Sequence, residues 1–334
     1  MSENIIIFDD LSLGFQTEDG FLPVLDRISF SVRQGEFFAL VGESGCGKSL
    51  TSLSVSWLHQ EPPARYSGGR VMVQGRDVLK MSARELQKLR GGVVAYVFQE
   101  PSTSLNPVLR VGRQIAETVR LHDSSCRDVR ARTLELLEMV GIPEPEIAVR
   151  AYPSELSGGM QQRVMIAMAL SCSPAILVAD EPTTALDVTV QAQILALLLK
   201  LQRETGMTIL LVTHNLGVVS QVADRVAVMY AGRIVEQAPV KDILQNPAHP
   251  YTRALLDAVP RPGSEAKRLG TIPGRVPEPA EYGEGCRFAQ RCNRAKTLCH
   301  SIPPPAIAIG KDHTACCHYP LDLDHRHVSR VVEL

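Results

Sequence analysis

The sequence predicts an α/β fold organised on a parallel sheet. An antiparallel β region precedes the sheet, a helical insert interrupts it and a small cysteine-rich segment follows it. Three observations carry this. Continuous apolar runs at Phe37-Phe-Ala-Leu-Val41, Val93-Val-Ala-Tyr-Val-Phe98, Ala175-Ile-Leu-Val-Ala179 and Thr208-Ile-Leu-Leu-Val-Thr213 read as buried strands. Each ends on polar residues, at the strand end where parallel α/β sheets put ligand chemistry. Of the eight cysteines, five (Cys286, Cys292, Cys299, Cys316 and Cys317) crowd the last fifty residues.

Taken in order, residues 1 to about 35 alternate in a β manner, with Thr17-Glu-Asp-Gly20 as a hairpin-type turn. Phe37–Val41 then runs into Gly42-Glu-Ser-Gly-Cys-Gly-Lys-Ser49, and Ser49 to Trp57 can open a helix directly behind it. Strand, glycine loop and helix together point backbone N–H groups and a positive helix end at phosphate. Gly42, Gly45 and Gly47 permit close approach and unusual φ values. Lys48 would reach the β- and γ-phosphates and the Ser49 hydroxyl would hold Mg²⁺. Ser44, Cys46 and Leu50 complete the nucleotide-binding stretch. Cys46, near a helix N-terminus, is expected to have a lowered pKa and to be alkylated unless ATP protects it.

Gln99 follows the strand Val93–Phe98 and opens a polar, proline-marked stretch to Pro107; its amide could touch both Mg²⁺ and the lytic water. A mainly helical insert spans about 104–160, with a periodic run from Arg130 to Val140 that stops at Gly141-Ile-Pro143. Leu156-Ser-Gly-Gly-Met160 precedes a helix running to about Leu170, so Ser157, Gly158 and Gly159 sit where exposed N–H groups favour an anion. The ordinary alternative is a capped helix with a flexible entry. Asp180 and Glu181 end the next strand. Adjacent strand residues point to opposite sides, so they need separate duties: Asp180 suits the magnesium shell and Glu181 suits deprotonating the attacking water. The bland alternative is a solvated acidic turn. His214, at the end of Thr208–Thr213, suits a γ-phosphate contact. Residues 37–100 and 174–240 thus supply the parallel core, and a linker rich in proline and glycine spans about 259–285.

With 334 residues the chain can bury a large core, in one main domain plus an appendage. Lysine and arginine (35) nearly balance aspartate and glutamate (36), so bulk charge does not suggest nucleic acid. Met1-Ser-Glu-Asn lacks the basic start of a signal peptide. The longest largely apolar stretch, Val164 to Ala179, is broken by Ser171, Ser173 and Pro174 and falls short of the ~20 residues of a membrane span. Any membrane role is expected to come through partner subunits. The late cysteines fit a metal centre better than disulfides, since thiolates around one cofactor can staple a core-poor segment. Their intervals are wider than the usual zinc or ferredoxin patterns, and His300, His313 and His318 leave a mixed zinc site open.

In order and spacing these segments resemble the ATP-binding-cassette family. Leu156-Ser-Gly-Gly-Met-Gln161 is similar to its signature segment, with Met160 where glutamine is usual. Asp180-Glu-Pro-Thr-Thr-Ala-Leu-Asp187 is similar to its second nucleotide motif running into the D-loop. Gln99 resembles the Q-loop residue, His214 the switch histidine and Phe15 the aromatic that stacks on adenine. The resemblance covers residues 1 to about 250. It implies an ABC-type P-loop NTPase: a RecA-like core with an N-terminal antiparallel β subdomain and a helical subdomain. It implies ATP and Mg²⁺ as cofactors, with Glu181, His214 and Gln99 catalytic. It further implies a dimer in which Ser157, Gly158 and Gly159 meet ATP held by the opposite subunit, with Asp187 at the seam.

His249-Pro-Tyr-Thr-Arg-Ala-Leu-Leu256, Gly285-Cys-Arg-Phe-Ala-Gln-Arg-Cys292, Cys299 and Cys317-His-Tyr-Pro320 are similar to the C-terminal extension of dipeptide and oligopeptide importer ATPases. That implies a nucleotide-binding domain over 1–250 and an extension over 251–334. It also implies a [4Fe–4S] cluster on Cys286, Cys292, Cys299 and Cys317, with Cys316 the competing fourth ligand. Gln99–Pro107 and the helix after it resemble the groove that receives a cytoplasmic helix of the membrane subunit. The implied partners are a second, non-identical ATPase subunit, two transmembrane permeases and an extracytoplasmic solute-binding protein, with this chain peripheral on the cytoplasmic face of the inner membrane. Nickel-chelate, opine and antimicrobial-peptide uptake systems use very similar ATPases and leave the cargo open. A soluble ATPase of ribosome recycling or DNA repair would carry two cassettes or a long coiled coil, and the sequence shows neither.

Overall fold

The computed structural model describes residues 3–123, 125–184, 186–259 and 272–321. In chain order the strands are β1 (Asn4–Thr17), β2 (Gly20–Arg33), β3 (Phe37–Val41), β4 (Ala64–Val73), β5 (Arg76–Asp77), β6 (Val94–Val97), β7 (Ile176–Asp180), β8 (Thr208–Thr213), β9 (Arg225–Tyr230), β10 (Arg233–Pro239), β11 (Ala306–Gly310) and β12 (His313–Cys316). The helices are α1 (Lys48–Leu53), α2 (Ala83–Leu89), α3 (Pro101–Ser104), α4 (Val111–His122), α5 (Val129–Met139), α6 (Pro145–Ala148), α7 (Gly158–Leu170), α8 (Val188–Thr205), α9 (Leu216–Val222), α10 (Val240–Gln245), α11 (Pro250–Asp257) and α12 (Thr297–Ser301). The described residues divide into two compact units, one formed by those up to 79 together with those from 212 on, the other by 80–211.

In the first unit β1 and β2 form the predicted hairpin, closing at the Thr17–Gly20 pair. The alternation buries Ile6, Phe8, Leu11 and Leu13 from one strand and Leu25, Ile28, Phe30 and Val32 from the other. Phe8 stacks on Phe30, and Phe30 on Phe38 of β3. Residues 64–77 depart from the expected parallel core. β4 pairs antiparallel with β1, and β5 with β4, giving the order β2-β1-β4-β5. Val71 and Val73 are the buried, alternating residues of this strand, and Gly68-Gly69 conceals the pattern. Gly69 has φ +75° and lies against the Asp10 backbone, where a Cβ could not fit. The same unit holds the order β11-β12-β10-β9-β3. β3 runs parallel to β9, while β10 and β12 add antiparallel strands beyond β9. Both β3 and β9 are buried along their whole length, which is why β3 reads as an unbroken apolar run, whereas β9 opens on the buried Arg225, paired with Glu36.

In the second unit β6 and β7 pair in parallel from Val94–Ile176 to Val97–Ala179. Helices α4, α5 and α7 pack on one another; α4 and α5 fall within the expected helical stretch 104–160, and α7 is the helix expected after Leu156–Met160. α5 stops where Gly141 turns to φ +72°, the stop expected from the sequence. α8 buries Ile194, Leu195, Leu198 and Leu201 on one face. β8 carries the chain from the second unit to the first. Of the predicted linker over 259–285, residues 260–271 lie outside the described residues, as does the extension beyond 321.

Candidate phosphate site and cysteine cavity

In the first unit β3 delivers residues 42–49 to the N-terminus of α1. Each glycine has its own reason. Gly47 is the N-cap at φ 104°, and a Cβ there would lie 2.7 Å from Leu25 Cδ2 and 2.8 Å from Met229 Cε. Gly45 has φ +79° with open space around it, so it serves conformation alone. Gly42 faces the Met229 carbonyl, where no side chain fits. The loop curls around its own lysine: Lys48 Nζ donates to the carbonyls of Gly42 (2.8 Å) and Glu43 (3.0 Å). Ser44, Gly45 and Ser49 are exposed and Leu50 is half-buried.

Cys46 corrects an expectation. Its thiol is fully buried, and desolvation pushes it up to about 11 despite the opposing pull of Lys48. Proximity to a helix N-terminus lowers a thiol pKa only if the sulfur meets solvent or the helix dipole, and this one points inward. His214, also in this unit, follows β8 and is exposed, while its neighbour Asn215 caps α9 through a bond from Gly217 N (2.9 Å). Phe15 lies half-buried on β1, opposite Leu22 and Ala64.

The second unit carries the remaining nucleotide residues. Gln99 is exposed just beyond β6. Ser157 is the N-cap of α7 and accepts from Met160 N at 3.4 Å. A Cβ on Gly159 would come 2.6 Å from Val190 Cγ1, so this glycine allows α7 to approach α8, whereas Gly158 is exposed. The helix entry is pinned rather than flexible, because the Gln161 amide donates to the carbonyls of Pro153 (2.8 Å) and Leu156 (3.2 Å). Asp180 is buried at the last position of β7. Glu181 follows with φ 46°, a backbone state uncommon for a non-glycine residue, and accepts from Thr184 Oγ1 at 2.9 Å. That turn interrupts strand alternation between the two carboxylates. Asp187 caps α8 through Val190 N (2.9 Å); Ala185, in the same motif, lies outside the described residues.

In the first unit again, Cys286, Cys292, Cys299 and Cys317 line one small cavity with Phe288. Cys286 N donates to Cys299 O at 2.7 Å, which ties two of the four segments. Burial raises the Cys286 and Cys292 thiols and pushes Cys317 up to about 12, with the neighbouring sulfurs adding to it. Cys316 lines a second cavity, with Asp26, Arg233 and Arg287, which Cys286 also borders. Of the two neighbours, Cys317 is therefore the one that shares the space of the other three. Among the described residues no three or more His, Cys, Asp or Glu side chains are gathered as metal ligands. Of the histidines of the zinc alternative, His318 lines the same cavity but its Nε2 bonds the Ile302 carbonyl (2.9 Å), His313 Nε2 bonds Glu236 (2.8 Å) away from it, and His300 is exposed.

Two groups escaped sequence reasoning. Glu236, wholly buried, accepts from Ala248 N (2.7 Å), His249 N (2.9 Å) and His313 Nε2. Glu43, inside the glycine loop, is paired with Arg291 beside Cys292.

The ABC transporter family matches residues 25–184, and the oligopeptide/dipeptide transporter C-terminal region matches residues 235–299. Over 310 residues, 92% of each chain, this protein is 48% identical to the "Probable peptide ABC transporter ATP-binding protein y4tR" of Sinorhizobium fredii. It is 44% identical to the dipeptide transport ATP-binding protein DppD of Bacillus subtilis, covering 94% of both chains. Among solved structures, a dimeric ATP-binding cassette in a post-hydrolysis state bound to ADP and Pi aligns with TM-score 0.63 and 28% identity, over 70% of this chain and 98% of that one. The cbiO1 component of an ABC transporter complex from Clostridium perfringens aligns with TM-score 0.64 and 28% identity, over 73% and 92%. Among the described residues no helix is long and apolar enough to cross a membrane. With relatives matched over 92–94% of both chains and both family regions present, the chain belongs to the ABC transporter family, among the ATP-binding proteins that carry the oligopeptide/dipeptide transporter C-terminal region.

Proposed function

We propose that this chain is the ATP-hydrolysing subunit that powers import of di- or oligopeptides through a membrane ABC importer. The observation that carries the reading is the strand–loop–helix of 37–53, with three glycines shaped for phosphate and Lys48 held inside, on a chain whose relatives are peptide-import ATP-binding proteins. Lys48 and the loop amides would bind the β- and γ-phosphates, and Phe15 would stack on adenine. Ser49, Asp180 and Gln99 would hold Mg²⁺, which neutralises charge developing on the phosphates. Glu181 would take a proton from the attacking water, and Gln99 and His214 would orient the water and the γ-phosphate. Ser157, Gly158 and Gly159, at the exposed start of α7, would serve the ATP of a second ATPase subunit, with Asp187 at that seam. ATP would then favour a closed clamp whose reopening follows hydrolysis.

The partners in this reading are a non-identical second ATPase, two permeases and an extracytoplasmic solute-binding protein, with the chain on the cytoplasmic face of the inner membrane. The nucleotide-binding domain would span 1–250 and the extension 251–334. Cys286, Cys292, Cys299 and Cys317 would hold a [4Fe–4S] cluster, supported by their shared cavity and by a donor set of four thiols, the usual one for such clusters. That group would staple the segment. Iron and acid-labile sulfide assays on anaerobically purified protein test it; zinc without iron would replace it. For the function, the chain is reconstituted in proteoliposomes with the companions encoded beside it. ATP-dependent uptake of labelled peptides is expected, and uptake of a nickel chelate instead would move the cargo.

A further inference from the structure

From the cysteine segment one side chain, Arg291, reaches the phosphate loop. Arg291 ends a 3₁₀ turn (Ala289–Arg291) in the interval between Cys286 and Cys292. Its amide donates to Phe288 O at 3.0 Å and that of Cys292 to Ala289 O at 3.3 Å, so its backbone is set by the same turn that presents the cysteine. The Arg291 side chain is 7% exposed, and its guanidinium straddles the quarter-exposed Glu43 carboxylate, Nη1 on Oε2 and Nη2 on Oε1 (3.1 Å). Its Nε donates to Pro273 O at 2.8 Å and its Nη1 to the Tyr230 hydroxyl at 3.3 Å, which leaves the fork little freedom to turn.

Glu43 is the second residue of the glycine loop, and three of its groups are committed. Its amide donates to the Tyr251 hydroxyl (2.9 Å), its carbonyl accepts from Lys48 Nζ (3.0 Å) and its carboxylate is held by Arg291. Phe288, two residues after Cys286, packs against the rings of both Tyr230 and Tyr251 at 5.1 and 5.2 Å. The turn between two cavity cysteines therefore holds the peptide unit that orients the loop lysine. An exposed ion pair contributes little; this one is bidentate and part-buried, with the Glu43 side chain a quarter exposed, so it constrains geometry more firmly than a surface pair.

We propose that Arg291 is a positioning residue for the phosphate loop, through which the conformation of the Cys286–Cys292 turn sets nucleotide affinity. The inference rests on reading residues 42–49 as the ATP loop and is independent of what the four thiols hold. A change that reshapes the turn moves Arg291, and Arg291 moves Glu43 and the carbonyl that Lys48 uses. By linkage, nucleotide on the loop also steadies the turn.

The test is equilibrium binding of a fluorescent ATP analogue with Mg²⁺ to the full-length chain, alongside thermal melting of the nucleotide-free protein. Arg291→Met and Glu43→Gln should each weaken binding, by roughly 5- to 150-fold as for a typical coupling between sites, and Arg291→Lys should recover part of it. Cys292→Ser should weaken binding in the wild-type background but change it by less than about twofold in the Arg291→Met background, because the path is already cut. Wild-type affinity in Arg291→Met and Glu43→Gln with only a lowered Tm would overturn the proposal, and so would full additivity of Cys292→Ser. If Arg291→Met does not fold, Glu43→Gln, which retains the guanidinium, decides alone. Lys48→Ala separates the two levels. Undiminished binding there would sink the loop assignment as well, whereas lost binding there with wild-type affinity in Glu43→Gln would sink only the role of Arg291.

Discussion

Glu236 allows a stability prediction worked bond by bond. Its Oε1 accepts from Ala248 N and His313 Nε2, and its Oε2 from His249 N. It thereby joins β10, the entry to α11 and β12 through one carboxylate with no solvent access. Glu236→Gln has the same shape but only one acceptor atom. With the amide oxygen at the Oε1 place two bonds survive, while the new NH₂ faces the His249 N–H; the reverse orientation loses two bonds. A buried donor left without a partner costs about 1–3 kcal/mol, so the better orientation loses about that much. Glu236→Ala orphans three donors and should cost at least about 3 kcal/mol, a large share of a typical ~5–15 kcal/mol stability. Urea unfolding of the full-length chain at pH 7 measures both: with m of roughly 1–3 kcal/mol/M, 3 kcal/mol moves the midpoint by about 1–3 M. Because β12 leads into Cys317, the Ala variant should also speed alkylation of that thiol in the folded protein. A Gln variant within about 0.5 kcal/mol of wild type, or an Ala variant no worse than Gln, would refute the accounting of these three bonds.

Four further outcomes are expected. Glu181→Gln should retain ATP binding while phosphate release falls by about 10²–10⁴, and wild-type turnover would remove Glu181 from the role of base. Gly47→Ala meets a positive-φ penalty of about 1–2 kcal/mol plus crowding against the buried Leu25 and Met229 side chains, so both Tm and nucleotide binding should drop; unchanged values would show that the loop does not need this conformation. Cys46, pushed up to about 11 by burial, should resist iodoacetamide at pH 8 with or without ATP and react only on unfolding, so fast native labelling that ATP suppresses would contradict its inward placement. His249 is neutral and caps α11 by accepting from Tyr251 N (3.0 Å), and burial lowers its pKa from the ordinary 6.5 to about 4. The unfolded chain protonates first as pH falls, so this contribution is complete above pH 6.5 and is lost toward pH 4, by about 3 kcal/mol. His249→Asn should flatten that part of the urea-midpoint profile, and a slope equal to wild type would count against it.

How much of this could be read before the structure follows from how local each signal is. β3 and β8 match the predicted runs to the residue because both faces are covered and every position must be apolar. β4 escaped because Gly68-Gly69 interrupts a half-exposed strand at the point where it passes Asp10. The glycine loop was legible because its spacing is a backbone requirement, written in consecutive residues. The orientation of Cys46 was not, since position in a loop does not say which way a side chain points, and desolvation outweighs a nearby helix end when it points inward. That Cys317, and not its neighbour Cys316, borders the cavity of Cys292 and Cys299 was hidden for the same reason. Arg291–Glu43 and His313–Glu236 span 248 and 77 residues, and each half alone looks like an ordinary surface charge. Burial gives the Glu236 pair its weight, because a carboxylate withdrawn from water must be met by partners that only the fold supplies; the part-buried Arg291–Glu43 pair rests on its forked geometry. The nucleotide chemistry was therefore open to local reading, whereas the bonds that tie the cysteine segment to the phosphate loop could be found only once the chain had been folded back on itself.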